Sequence, residues 1–218
     1  MRDITAHDGH DPTERPRDDE TTVSPLLVGF LLAPLAMAQQ AIVPVPLTPF
    51  GDGEDSVLTQ NLEYRVLQTA LIIVVPAGFV TDFASTPRAL WSVIPPTGRY
   101  QLAAVVHDFL YWDQGCAREQ ADAIFRVAMA ESNVKPFERD LMWQAVRRFG
   151  EAPWKENATA RQAGKPRIIP SAYMNIPPLL TWPEYQGQLM LQGVGPDLTA
   201  PSPPMYCTAG TSAALASE

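Results

Sequence analysis

The most regular stretch of the chain lies between residues 60 and 150, where apolar positions change period from two to about three and a half. Leu62, Tyr64 and Val66 alternate with polar residues, Leu71 to Val75 is a short β-branched run, and Gln68-Thr69 lies between them. This pattern predicts a β-hairpin. Phe79 to Thr81 extends the strand character after Pro76-Ala-Gly78, and Asp82 falls where the chain must turn. Ser85 or Thr86 before Pro87 has the chemistry of a helix start, which predicts a short helix through Trp91 that stops before Pro95-Pro96. Two longer helices follow, with Trp112 to Cys116 as the turn between them, and Pro136 opens a third. The third has Leu141, Met142, Ala145, Val146 and Phe149 on its apolar face and ends at Gly150. The expected fold is α+β: a small antiparallel sheet followed by three or four packed helices.

Within this pattern two polar side chains occupy core positions. His107 shares a helical stripe with Ala103, Ala104 and Tyr111, and Asp122 shares one with Ile124, Phe125 and Met129. A carboxylate on an apolar stripe is costly unless paired. A short turn makes the two helices antiparallel and sets His107 opposite Asp122, so the expected product is a buried His-Asp pair.

Beyond the 60–150 stretch the periodicity fades. Residues 1–22 are polar and charged, too poor in apolar groups to order themselves, and are expected to be a solvated acidic tail. His7 and His10 lie in it. Residues 23–40 hold an apolar run ending in Ala36-Met37-Ala38 and then Gln39-Gln40. Three readings stand side by side: an export signal behind a long leader, a membrane-touching segment, or an apolar helix packed on the domain. The protein would be exported or virion-associated under the first, and otherwise cytoplasmic. Residues 41–155 form the expected globular domain, with prolines 44, 46 and 49 and the turn Gly51 to Asp55 as its lead-in. Residues 156–218, rich in proline, are expected to be an irregular tail that drapes over the domain or docks on a partner.

The chain has 218 residues, 22 of them proline, and a formal charge of −8. That balance argues against nucleic acid as a partner, because phosphate binding is driven by clustered Lys and Arg. Cys116 and Cys207 match neither a zinc pattern nor a disulfide scaffold; a single bridge between the inter-helix turn and the tail would need an oxidising compartment, and the sequence leaves that pairing open.

Four linked motifs carry a family resemblance: Gly78 to Arg88 (G-F-x-T-D-x-A-S-x-P-R), Ala103 to Tyr111 (A-A-x-x-H-D-x-L-Y), Ala121 to Phe125 (A-D-x-x-F) and Ala145 to Gly150 (A-V-R-x-F-G). Together they resemble the phage- and prophage-associated domain of unknown function 1353. The resemblance implies a phage or prophage protein, with no established activity. His107-Asp-x-x-Tyr111, followed by a helix bearing an aspartate, also resembles the catalytic helices of secreted phospholipases of the A-two type. That second likeness implies a histidine that activates water and an adjacent aspartate that binds calcium, although the disulfide framework and Gly-rich calcium loop of those enzymes are missing here.

Two functional expectations follow. In one, His107 takes a proton from water, Asp122 orients its ring with Tyr111 in support, and Asp108 with Asp82 holds calcium or magnesium, hard cations that suit oxygen ligands. Arg88 or Arg148 would meet a carboxylate near the site. The substrate would be a lipid or a cell-envelope component, with membrane contact through residues 23–38. In the other, His107, Asp122, Tyr111 and Asp82 form a buried polar network in a virion or assembly protein whose partners are phage structural proteins. Asp82 reads equally as a turn or cap carboxylate. Neither a Gly-x-Ser-x-Gly elbow nor a His-Glu-x-x-His pair occurs.

Overall fold

The computed structural model describes residues 44–66, 70–83, 100–196, 198 and 203–215. The first strands are short. β1 (Leu47–Pro49) and β2 (Ser56–Leu58) flank the turn at Gly51 to Asp55, and β5 (Val80–Thr81) adds to β2, so the sheet runs β1-β2-β5 with antiparallel neighbours. The expected hairpin forms from β3 (Leu62–Val66) and β4 (Leu71–Val75), with Leu62 opposite Val75 and Tyr64 opposite Ile73. Leu62, Tyr64 and Val66 point inward and Glu63 and Arg65 outward, as a period of two requires. Sheet and helices together make an α+β fold.

The three expected helices are α1 (Gln101–Asp113), α2 (Arg118–Glu131) and α3 (Pro136–Phe149). Gln114 stops α1 by taking a left-handed conformation, φ 55°, while its amide still donates to the Leu110 carbonyl. The α1–α2 connection is then only four residues, which returns α2 antiparallel against α1. α1 buries ten consecutive residues from Ala103 to Trp112, His107 and Asp108 among them. It is the central element of the core, touching α2, α4, β4 and β5. α3 buries Met142, Ala145 and Val146, but Phe149 lies 58% exposed rather than on the apolar face.

The proline-rich stretch departs from expectation. It holds α4 (Glu151–Gln162), α5 (Trp182–Leu191) and α6 (Cys207–Leu215). Pro153 and Pro183 sit in the first turns of α4 and α5, where no intrahelical N–H is needed, so proline starts these helices rather than breaking them. Thr181 and Glu184 complete the start of α5, since the Glu184 carboxylate accepts from the Thr181 amide at 2.9 Å and from its hydroxyl at 2.8 Å. Ile169, Trp182, Tyr185 and Leu189 close a second small core with Phe50, Val57 and Val80. The backbone at 167–169 runs alongside 78–80, with Ile169 donating to Gly78 and Val80 to Arg167. A disulfide joins Cys116 to Cys207, which settles the pairing that the sequence left open.

The short helix expected between Ser85 and Trp91 and the segments 1–22 and 23–40 lie outside the described residues. Among the described residues no helix is long and apolar enough to cross a membrane.

Candidate functional site

α1 and α2 face each other across the pair predicted from the sequence. His107 Nε2 lies 3.1 Å from Asp122 Oδ1, and both side chains are completely buried. The Tyr111 hydroxyl, one turn after His107, donates to the same Oδ1 at 2.6 Å. Arg118, one turn before Asp122 on α2, donates from Nη1 to Oδ2 at 2.9 Å. The Asp122 carboxylate thus accepts from three side chains, which offsets the cost of burying it. Burial first, and then the neighbouring Asp122 charge, hold the Tyr111 hydroxyl well above the usual phenol range, so it stays a donor.

Aromatic rings fix the imidazole on both sides. Phe125 stacks on it with centroids 4.5 Å apart, and Tyr111 packs at 4.2 Å. Trp154 of α4 meets the Tyr111 ring edge-on at 5.1 Å. Nδ1 of His107 is also buried, but it has no hydrogen-bond partner among the described residues. Among the described residues the ring is therefore held through one nitrogen.

Asp108 and Asp82 have different partners. Asp108 Oδ2 accepts from the Thr81 hydroxyl at 2.5 Å, which ties α1 to the end of β5. The same hydroxyl accepts from the Phe83 amide at 3.3 Å, and Phe83 has φ 53°, uncommon for a bulky residue. Asp82 Oδ1 accepts from Arg167 at 3.0 Å, and Arg167 also donates to the Val80 carbonyl and to Asn157. Asp55 stands near this cluster: burial, then the Asp82 charge, push its carboxyl up to about 6 against the pull of Arg167.

The structure thus brings His107, Asp122 and Tyr111 together, with Asp108 adjoining them through α1. It seats Asp82 against Arg167. Arg88 lies outside the described residues. Arg148 is exposed, its guanidinium over the Phe149 ring, and among the described residues the cation that meets Asp122 is Arg118. Arg118, Thr81, Trp154 and Arg167 were not foreseen. Of these only Arg118 left a trace, four residues before Asp122, where i,i+4 pairing is expected.

The oxygens expected to hold calcium or magnesium already have protein partners. One oxygen of Asp82 faces a guanidinium, one oxygen of Asp108 is taken by a hydroxyl, and no three metal-ligating side chains converge among the described residues.

Residues 56–146 match the family described as protein of unknown function (DUF1353). The chain carries a DUF1353 domain. The matched span runs from β2 into α3 and contains Asp122 and all three side chains that donate to it. Much of the DUF1353 motif set maps onto this geometry: Thr81 ends β5 and Asp82 follows it, His107, Asp108 and Tyr111 line α1, and Asp122 and Phe125 line α2. No curated protein and no solved structure matches the chain.

Proposed function

We propose that the DUF1353 domain of this phage- or prophage-derived chain is a hydrolase of a lipid or cell-envelope substrate, with His107 as general base. The observation that carries the reading is the asymmetry of the imidazole: Nε2 is tied to Asp122, while Nδ1 is buried and unpartnered among the described residues. A polar network that serves packing alone satisfies its members, because an orphaned buried group costs about 1–3 kcal/mol. A base must instead keep one lone pair for its substrate.

When Nε2–H donates to Asp122, Nδ1 carries that lone pair. It takes a proton from water as the water oxygen attacks an ester carbonyl. Asp122 stabilises the imidazolium, which returns the proton to the leaving alkoxide as the ester bond breaks. Tyr111 and Arg118 hold Asp122 in place. The substrate class rests on the likeness of His107-Asp-x-x-Tyr111 to the secreted phospholipases, and the phage origin on the family resemblance.

No step passes through a cation, given the donor set at Asp108 and Asp82. A melting temperature that rises with millimolar calcium or magnesium, and no longer does so in Asp108→Asn, would put the cation back into the reading.

A second reading has its own observation. His107 is fully buried, as a residue of a purely structural network would be. In that reading the domain is a virion or assembly component, and the network sets how α1 packs on α2.

The deciding experiment incubates the full chain with phospholipid vesicles and with envelope extracts and follows released products by chromatography. Hydrolysis that falls by roughly 100-fold or more in His107→Asn supports the enzyme. No hydrolysis by the parent, or the same rate in the variant, leaves the structural reading in place.

A further inference from the structure

We infer that Cys116–Cys207 is a redox latch that clamps α6 onto the first turns of α2, the part of the helix that bears Arg118 and Asp122. The disulfide closes a separation of 91 residues and places the two Cα atoms 5.4 Å apart, immediately before α2 and at the first residue of α6. Reduction breaks the Sγ–Sγ bond. A cytoplasmic-type dithiol supplies two electrons and two protons, leaves two thiols, and is itself oxidised to a disulfide.

The contacts beneath the bridge show what the latch holds. Gly210 lies so close to the Gln120 backbone that a Cβ would stand 2.7 Å from Gln120 Cα, so the two helices meet almost backbone to backbone. The Gln120 side chain joins both: its oxygen accepts from the Ala117 amide at the start of α2, and its Nε2 donates to Thr211 of α6 at 2.9 Å. Burial, and then the Asp113 charge at the end of α1, hold the Tyr206 hydroxyl above the usual phenol range. These interactions add to close packing of α6 on α2, with Cys207 and Ala209 buried in the main core, but an isolated helix of nine residues is marginal in water. Covalent closure is what keeps α6 at high effective concentration over α2. Once the bridge opens, α6 competes with solvent on its own contacts.

The latch therefore couples the setting of Arg118 and Asp122 to the redox state of the compartment. It stands whether or not the site is catalytic.

Hydrogen exchange on the full chain tests it, comparing the oxidised protein, the same protein with a phosphine reductant, and Cys207→Ser. The oxidised protein is expected to show no titratable thiol and the reduced protein two. Amides of α6 and of residues 117–122 are expected to exchange about 10-fold faster or more on reduction, with β3 and β4 unchanged and protection restored by reoxidation. Unchanged exchange, a uniform increase across every element, or free thiols after air oxidation would each overturn the latch. Hydrolysis measured on the same samples reports separately on the catalytic reading.

Discussion

The Tyr111 hydroxyl occupies the place where a Cβ on Gly150 would stand. Gly150 joins α3 to α4 with ordinary helical angles, so its lack of a side chain answers a close approach and not a need for positive φ. The hydroxyl it admits is the one that donates to Asp122. Gly150→Ala is expected to push the ring off Asp122 and to lower stability by about 1–3 kcal/mol. In a Tyr111→Phe background the same change should cost less, and denaturant melts of the four proteins measure the difference. Equal costs in both backgrounds would separate Gly150 from the site.

The His-Asp pair was legible because two local rules agreed. Helical spacing put His107 and Asp122 on inward stripes, and a short turn left α1 and α2 no arrangement but antiparallel. Gly150 was read as a helix end, since its neighbour Tyr111 lies 39 residues away and no local pattern reports such a contact. Arg118 was not singled out, although its place four residues before Asp122 suits an i,i+4 pair. The helices α4 and α5 were hidden by Pro153 and Pro183, which count against a helix in its interior and not in its first turn. Asp82 stayed ambiguous because its partner, Arg167, lies in a stretch that appeared irregular.

Removing the shared acceptor should be the most damaging change at the site. Asp122→Ala leaves the donors of His107, Tyr111 and Arg118 without their acceptor in a buried place, and a loss of about 3–5 kcal/mol is expected. Arg118→Met alone should cost less, since Asp122 keeps two donors and the guanidinium is partly exposed. Combining Asp122→Asn with His107→Asn should be clearly less than additive in chemical melts. Simple additivity would mean that the two residues do not share one interaction.

Asp55 gives the fold a pH dependence of definite sign. Its carboxyl sits at about 6 in the folded chain against 3.8 ordinarily, so between those values the folded state holds more protons than the unfolded one. Its contribution to stability must fall as pH rises through that window and level off above about 6. Asp55→Asn should remove this fall, so the melting curves of variant and parent should converge near pH 4 and separate in the variant's favour above pH 6. An identical pH slope in both proteins would exclude Asp55 as the source.

The account turns on which nitrogen of His107 is free. Long-range proton–nitrogen correlation on the uniformly labelled chain reads this directly, because protonated and lone-pair imidazole nitrogens resonate far apart. The predicted result for the neutral ring is a proton on Nε2, shared with Asp122, and a lone pair on Nδ1, with the pattern lost in Asp122→Asn. A neutral ring with its proton on Nδ1 would contradict the account, since His107 would then have no free base to offer a substrate.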